Sequence, residues 1–176
     1  MAIYEFEGKR PEIHATAFVH PEATVIGDVT IGANCYIGPG ARIRGDWGAI
    51  KIGDGSNIQE NCVIHVQVDK EAILGCDSHI GHGAVLHNVT LENHVVVGIN
   101  AVVLDHSVIG AGSCIGAGSV VPGNTVIPPK SLVMGVPGKV ISEVSDKLAE
   151  RLKTGTEVYH TLPERCQKTL IEISGE

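Results

Sequence analysis

Nearly every sixth residue of this chain is aliphatic from Ile13 to Val133, and few folds can use that period. The column runs Ile13, Val19, Val25, Ile31, Ile37 and Ile43, resumes at Ile52, Ile58 and Ile64 after a shift of three, and resumes again at Leu74, Ile80 and Leu86. It is completed by Leu91, Val97, Val103, Ile109, Ile115, Val121, Ile127 and Val133. Helices repeat their apolar side about every 3.6 residues and strands about every 2, so this period belongs to neither. It marks a hexapeptide repeat, in which one short strand and one corner form the unit and the aliphatic side chain points into a coil. The expected fold class is therefore an all-β solenoid, a parallel β-helix of hexapeptide repeats with a C-terminal α-helix. Residues 1–12 are expected to cap its first coil, 13–140 to form the coils, and 141–176 to form the helical segment.

Composition agrees with a core of stacked Ile, Val and Leu: 43% of the 176 residues are hydrophobic but only 3% are aromatic. Glycines often follow a column residue directly, as Gly32, Gly38, Gly53, Gly81, Gly98, Gly110 and Gly116 do. They read as corners that need positive φ or have no room for a side chain. The run Gly110–Gly118 is not a nucleotide loop, because the inward Ile115 stands where a GxGxxG motif places glycine. A net charge of −7 excludes a surface suited to nucleic acid or anionic lipid. No apolar run approaches the ~20 residues of a membrane span. The opening Met-Ala-Ile-Tyr-Glu lacks the charged and apolar regions of a signal peptide, so a cytoplasmic location is expected. Five cysteines without a CxxC pair argue against a disulfide framework or a thiolate metal site.

The last segment changes from β-branched and Gly-rich to Ser142-Glu-Val-Ser-Asp-Lys-Leu-Ala-Glu-Arg-Leu. Ser142 or Ser145 is expected to cap a helix with Val144, Leu148 and Leu152 on its apolar side. A second helical stretch is expected from about Glu157, with Pro163 as a kink or a new first turn.

Counting the column assigns faces, because three hexads close one triangular coil. With Ile64 on face A, Leu74 falls on face B, Ile80 on face C and Leu86 on face A again. His65 and His87 each follow a face-A residue, so they stack one coil apart at the ~4.8 Å spacing of adjacent strands. Two imidazoles that close can share a metal ion. His82 lies on face C, around a corner, too far to join them within one chain. The geometry closes if face C of a second subunit meets face A of the first, which around a threefold axis gives a homotrimer with three interfacial sites. Three histidines and an open position suit a catalytic metal. Arg44 falls one coil before His65 and Glu60 one coil before His82, with Gln59 adjacent. Asp46 can pair with Arg44. The other histidines, His14, His20, His79, His94, His106 and His160, read as surface or corner residues.

Arg44-Gly-Asp46, Asn57-Ile-Gln59-Glu60, His65 and Ile80-Gly-His82…His87 resemble the γ-class carbonic anhydrase family over nearly the whole chain. The resemblance implies a left-handed β-helix trimer holding zinc, or iron or cobalt, through His65 and His87 of one subunit and His82 of the next. It implies reversible hydration of carbon dioxide, with Gln59 orienting the metal-bound water, Arg44 and Asp46 supporting the interface, and Asn57 and Glu60 at neighbouring motif positions. Trp47 stands where founding members carry a glutamate, and the 66–73 loop is short. Shorter members place a tyrosine of the C-terminal helix near the metal; Tyr159 matches it, though it also reads as a residue packing the helix onto the coil.

Two other function classes stand beside hydration. The stretches Ile3-Tyr-Glu-Phe-Glu-Gly and Gly155-Thr…Tyr159…Arg165-Cys-Gln-Lys-Thr-Leu resemble the branch linked to phenylacetate degradation and carnitine metabolism, where the same metal site would hydrolyse a coenzyme A thioester. A hexapeptide acyltransferase would use one catalytic histidine and no metal, and an assembly subunit would hold metal without turnover.

Overall fold

The computed structural model describes residues 2–173 and stacks the six-residue column into three parallel faces of a left-handed β-helix. Face A aligns Val25, Ile43, Ile64, Leu86, Val103 and Val121 in successive coils. Face B aligns Ile31, Ile52, Leu74, Leu91, Ile109 and Ile127, and face C aligns Val19, Ile37, Ile58, Ile80, Val97, Ile115 and Val133. From Ile31 to Val133 no column side chain is more than 4% exposed. Each of these burials stabilises the coil by roughly 1.5–3 kcal/mol, so aliphatic stacking replaces a globular core.

The glycines that follow column residues are required by space. A Cβ on Gly53 would lie 2.6 Å from the Cys76 nitrogen, and one on Gly98 would lie 2.5 Å from the Ala117 nitrogen. Left-handed corners are instead taken by other glycines such as Gly55 and Gly83, or by Asn34, Asn61, Asp77 and Asn100, whose short polar side chains tolerate positive φ.

Both shifts in the column become insertions between faces A and B. Between strands Thr24–Ile31 and Arg42–Ile52 the pairing moves from Gly27 with Gly45 to Val29 with Ile50, which leaves Asp46–Ala49 as extra chain. The second insertion follows His65. The two touch: the Asp69 amide donates to the Trp47 carbonyl at 3.0 Å, and the Ala49 amide donates to the Lys70 carbonyl at 3.0 Å.

At the start, Ala2–Tyr4 pairs with Thr24–Ile26 and Glu12–Ile13 with Thr30–Ile31, covering the first coil edge. At the other end the ladder runs past residue 140. Ser131–Met134 is followed by a reversal at Gly135–Gly138 and an antiparallel strand, Lys139–Glu143, where the expected organisation began the helical segment at 141. Ser145, and not Ser142, caps helix α1 (Asp146–His160), accepting from the Leu148 amide at 3.3 Å. Glu157 lies inside α1, so the expected second start there is displaced to α2 (Leu162–Thr169), with Pro163 in its first turn. The helices run back over face C: Tyr159 meets Tyr36, and Gln167 donates to the Ala17 carbonyl at 3.1 Å.

Gly98→Ala is expected to cost about 2 kcal/mol or more, because backbone blocks the added methyl. Gly155→Ala, inside α1 with open space around it, is expected to stabilise by about 0.5–1 kcal/mol. Thermal melting at one fixed protein concentration would show opposite shifts; shifts of one sign would contradict the reading of these glycines.

Candidate metal centre

The register sets His65 directly beside His87 on adjacent strands, Val63–His65 and Val85–His87. His65 Nδ1 and His87 Nε2 are 3.1 Å apart. Their other nitrogens are held by carboxylates: His65 Nε2 donates to Asp46 Oδ1 at 3.0 Å, and His87 Nδ1 donates to Asp105 Oδ1 at 2.6 Å. The inner nitrogens then face each other as two lone pairs, a repulsive contact unless a proton or a cation lies between them. Two nitrogens bound to one tetrahedral zinc at ~2.0–2.1 Å sit about 3.3 Å apart, so the pair fits two corners of such a site.

The insertions supply this support. Asp46 comes from the first; Arg44, paired with His65 in register, donates to its other oxygen. Gln67, from the second, donates to Asp105 Oδ1 at 2.8 Å. Burial pushes the Asp46 carboxyl upward, but the hydrogen bonds from Arg44 and His65 outweigh it and hold it below the usual carboxylate value. Burial also pushes the His65 imidazole below its ordinary value against the opposing bond to Asp46, which favours the neutral ring that ligates metal. Trp47 packs its ring 5.5 Å from that of His65.

His82 stands apart at the corner after strand His79–Ile80, its Nδ1 bonded to Glu60 Oε2 from the preceding coil. Among the described residues of one subunit no three potential ligands converge on a metal position. The helices α1 and α2 lie on face C over Phe18 and Tyr36, so a neighbour approaching from that side meets the helices rather than bare strands. What remains exposed there is the corner bearing His82, whose side chain is 46% exposed. On face A the outward residues Val63, Val85, Val102 and Val120 make an apolar stripe against which, among the described residues, neither α1 nor α2 packs.

Gln59 and Asn57 are buried on face C beneath α1. Gln59 Nε2 donates to Asn57 Oδ1 at 2.9 Å and approaches His79 Nε2 at 2.8 Å. Tyr159 lies on the same side, its ring 5.2 Å from that of His79 and 5.8 Å from that of Tyr36. Burial, with the nearby Glu60 charge, raises its pKa. A cleft of about 630 Å³ between α1 and face C, lined by Asp77, His94, Val96, Leu152, Thr156 and His160 among others, includes none of the expected site residues.

Sequence reading missed Asp105, Gln67 and His79. Asp105 was not countable from the column: the step from Leu86 to Leu91 is five residues, so the coil after His87 places Leu104 in register with it, and Asp105 reaches back from one residue further on. His79 was grouped with the corner histidines, although it shares its coil position with Asn57 one coil earlier.

Residues 10–45 and 88–123 match the family model for bacterial transferase hexapeptide repeats. The carnitine operon protein CaiE of Escherichia coli K12 is 42% identical over 172 residues, which span 98% of this chain and 88% of that protein. The chain belongs to the hexapeptide transferase family, in the branch of the carnitine operon proteins. Two solved structures of this family type are similar in sequence and shape. A Bacillus cereus protein, the BC4754 gene product, described provisionally as an acetyltransferase, is 32% identical with a TM-score of 0.93, covering 95% of this chain and 97% of that one. A hexapeptide transferase family protein from Anaplasma phagocytophilum is 33% identical with a TM-score of 0.89, covering 93% and 97%. These relationships support an enzyme of the hexapeptide transferase family and do not single out carbonic anhydrase.

Burial depresses the His79 pKa from its ordinary 6.5 to about 4. As pH falls from about 6.5 to about 4 the unfolded chain takes up this proton before the folded one does, so stability declines over that window, by about 3 kcal/mol in total. In metal-free protein, melting curves of the native chain should therefore lose stability more steeply across it than those of His79→Asn; parallel curves would contradict the assignment.

Proposed function

We propose that this chain is a metal-dependent enzyme that transfers an acyl group from a thioester, with water as the simplest acceptor, at sites shared between subunits of a homotrimer. The observation that carries the metal is that His65, His87 and His82 each have one nitrogen held by a carboxylate: Asp46, Asp105 and Glu60 respectively. Such pairing fixes the ring and turns the opposite nitrogen towards an ion. Zinc, iron or cobalt fits an all-imidazole donor set. The acyl class is supported by the transferase family of the chain and by the description of the Bacillus cereus relative.

When bound, the ion supplies a Lewis acid and a concentrated positive charge. The protein residues do the rest. His65 and His87 present two ligands from one subunit, and His82 completes the set from the next. Arg44 holds Asp46, and Gln67 holds Asp105, so neither imidazole can turn away. Gln59, fixed by Asn57, offers its carbonyl oxygen to orient the attacking hydroxyl. Glu60, partly exposed beside His82, is placed to take the acceptor's proton and return it to the leaving thiol. Tyr159, tucked between Tyr36 and His79 with a raised pKa, serves to pack the helix.

Carbon dioxide hydration at the same site is the second reading, favoured by the match of Arg44, Asp46, Asn57, Gln59 and the three histidines to the γ-class pattern. Anaerobic purification, metal analysis and parallel assays on acyl-CoA and carbon dioxide separate the two. Metal-dependent thioester turnover is expected. Turnover of carbon dioxide alone would replace the first reading by the second, and turnover retained after metal removal would leave a histidine-only acyltransferase.

Site sharing has its own test. His65→Ala and His82→Ala homotrimers should each lose metal and activity. Mixed by unfolding and refolding at equal amounts, they should regain about a quarter of the sites, because intact halves then meet across interfaces. No recovery, with trimers reformed, would contradict a shared site.

A further inference from the structure

We propose that His79 is a positioning residue that sets which end of the Gln59 amide faces the site, and that Thr156 of α1 sets His79 in turn. The inference rests on the role given to Gln59 above. His79 stands on face C one coil after Asn57, with α1 over it. Gln59 Nε2 carries two hydrogens. One goes to Asn57 Oδ1 at 2.9 Å, and the other points at His79 Nε2, 2.8 Å away. For that short contact to be a hydrogen bond, His79 Nε2 must carry a lone pair. The ring proton of the neutral imidazole then sits on Nδ1, where Thr156 Oγ1 accepts it at 3.4 Å. Thr156 passes its own hydroxyl hydrogen to the Leu152 carbonyl at 3.2 Å. The chain of donors therefore has one direction, from Gln59 through His79 and Thr156 into the backbone of α1.

That direction has a chemical consequence. Both amide hydrogens of Gln59 are committed inward, so the atom left for the site is the carbonyl oxygen, an acceptor. It can orient a hydroxyl, a water or an amide N–H and offers nothing to an oxyanion. The other tautomer, with the proton on Nε2, reverses the chain: Gln59 must turn its oxygen to His79, and the amide then presents hydrogens to the site. Asn57 Nδ2, 3.2 Å from His79 Nδ1, is the one contact that favours this reverse order, and it is longer than the 2.8 Å contact it opposes. Burial that keeps the ring neutral down to about pH 4 preserves the distinction between its two nitrogens throughout the working range.

Nitrogen-15 NMR of the imidazoles reads the tautomer directly, in metal-free and metal-loaded trimer, with His79→Gln locating the signal. The expected result is a neutral ring protonated on Nδ1 in both. Thr156→Val removes the acceptor and should shift His79 towards the Nε2 tautomer, with kcat falling roughly tenfold and metal content and melting temperature little changed; Thr156→Ser should restore both tautomer and kcat. An Nε2-protonated His79 in the native protein overturns the proposal, as does a Thr156→Val variant with the native tautomer and kcat. A protein without metal or turnover would remove the function proposed above, while the tautomer would still decide the direction of the Gln59 amide.

Discussion

One coil of this solenoid advances the chain by a single strand spacing, about 4.8 Å, and everything at the candidate centre depends on that fixed step. Hydrogen bonds between parallel strands set the step, and the buried column locks its register, since any slip would turn aliphatic residues outward. His65 and His87 are 22 residues apart in sequence yet neighbours in space because Ile64 and Leu86 share face A. The same step stacks Glu60 under His82 and Asn57 under His79.

A perfect repeat would give only ladders of like residues. The insertions break it where polarity is needed, at the junction of faces A and B. The first lets Asp46 turn back onto His65, and the second lets Gln67 reach across to Asp105. Because the two insertions also hydrogen-bond to each other, the carboxylates behind both imidazoles belong to one small supporting structure. His65 Nδ1 and His87 Nε2 are held 3.1 Å apart by the bonds that Asp46 and Asp105 make on the far side of each ring, so a proton or a cation between them is favoured.

Much of this was legible in the sequence because the period is strict. Counting sixes located the faces, the insertions, the His65–His87 stack and the Glu60–His82 stack without reference to any relative. The period says nothing about what lies outside the coil. The return of α1 and α2 over face C follows from Phe18 and Tyr36 needing cover, and it leaves the corner at His82 as the exposed part of that side. His79 escaped notice for the same reason: its meaning comes from Thr156, 77 residues away on the helix. The resemblance to γ-class enzymes added Asn57 and Tyr159 and gave Gln59 its role, whereas the relatives show the hexapeptide transferase family.

The central claim is that two histidines of one subunit and His82 of another hold one metal ion. Anomalous diffraction from crystals grown with zinc, iron or cobalt tests it most directly. The predicted result is one peak per subunit interface, at ~2.0–2.1 Å from His65, His87 and the neighbouring His82. A trimer with no peak between His65 and His87, or with His82 turned away from it, would contradict the account.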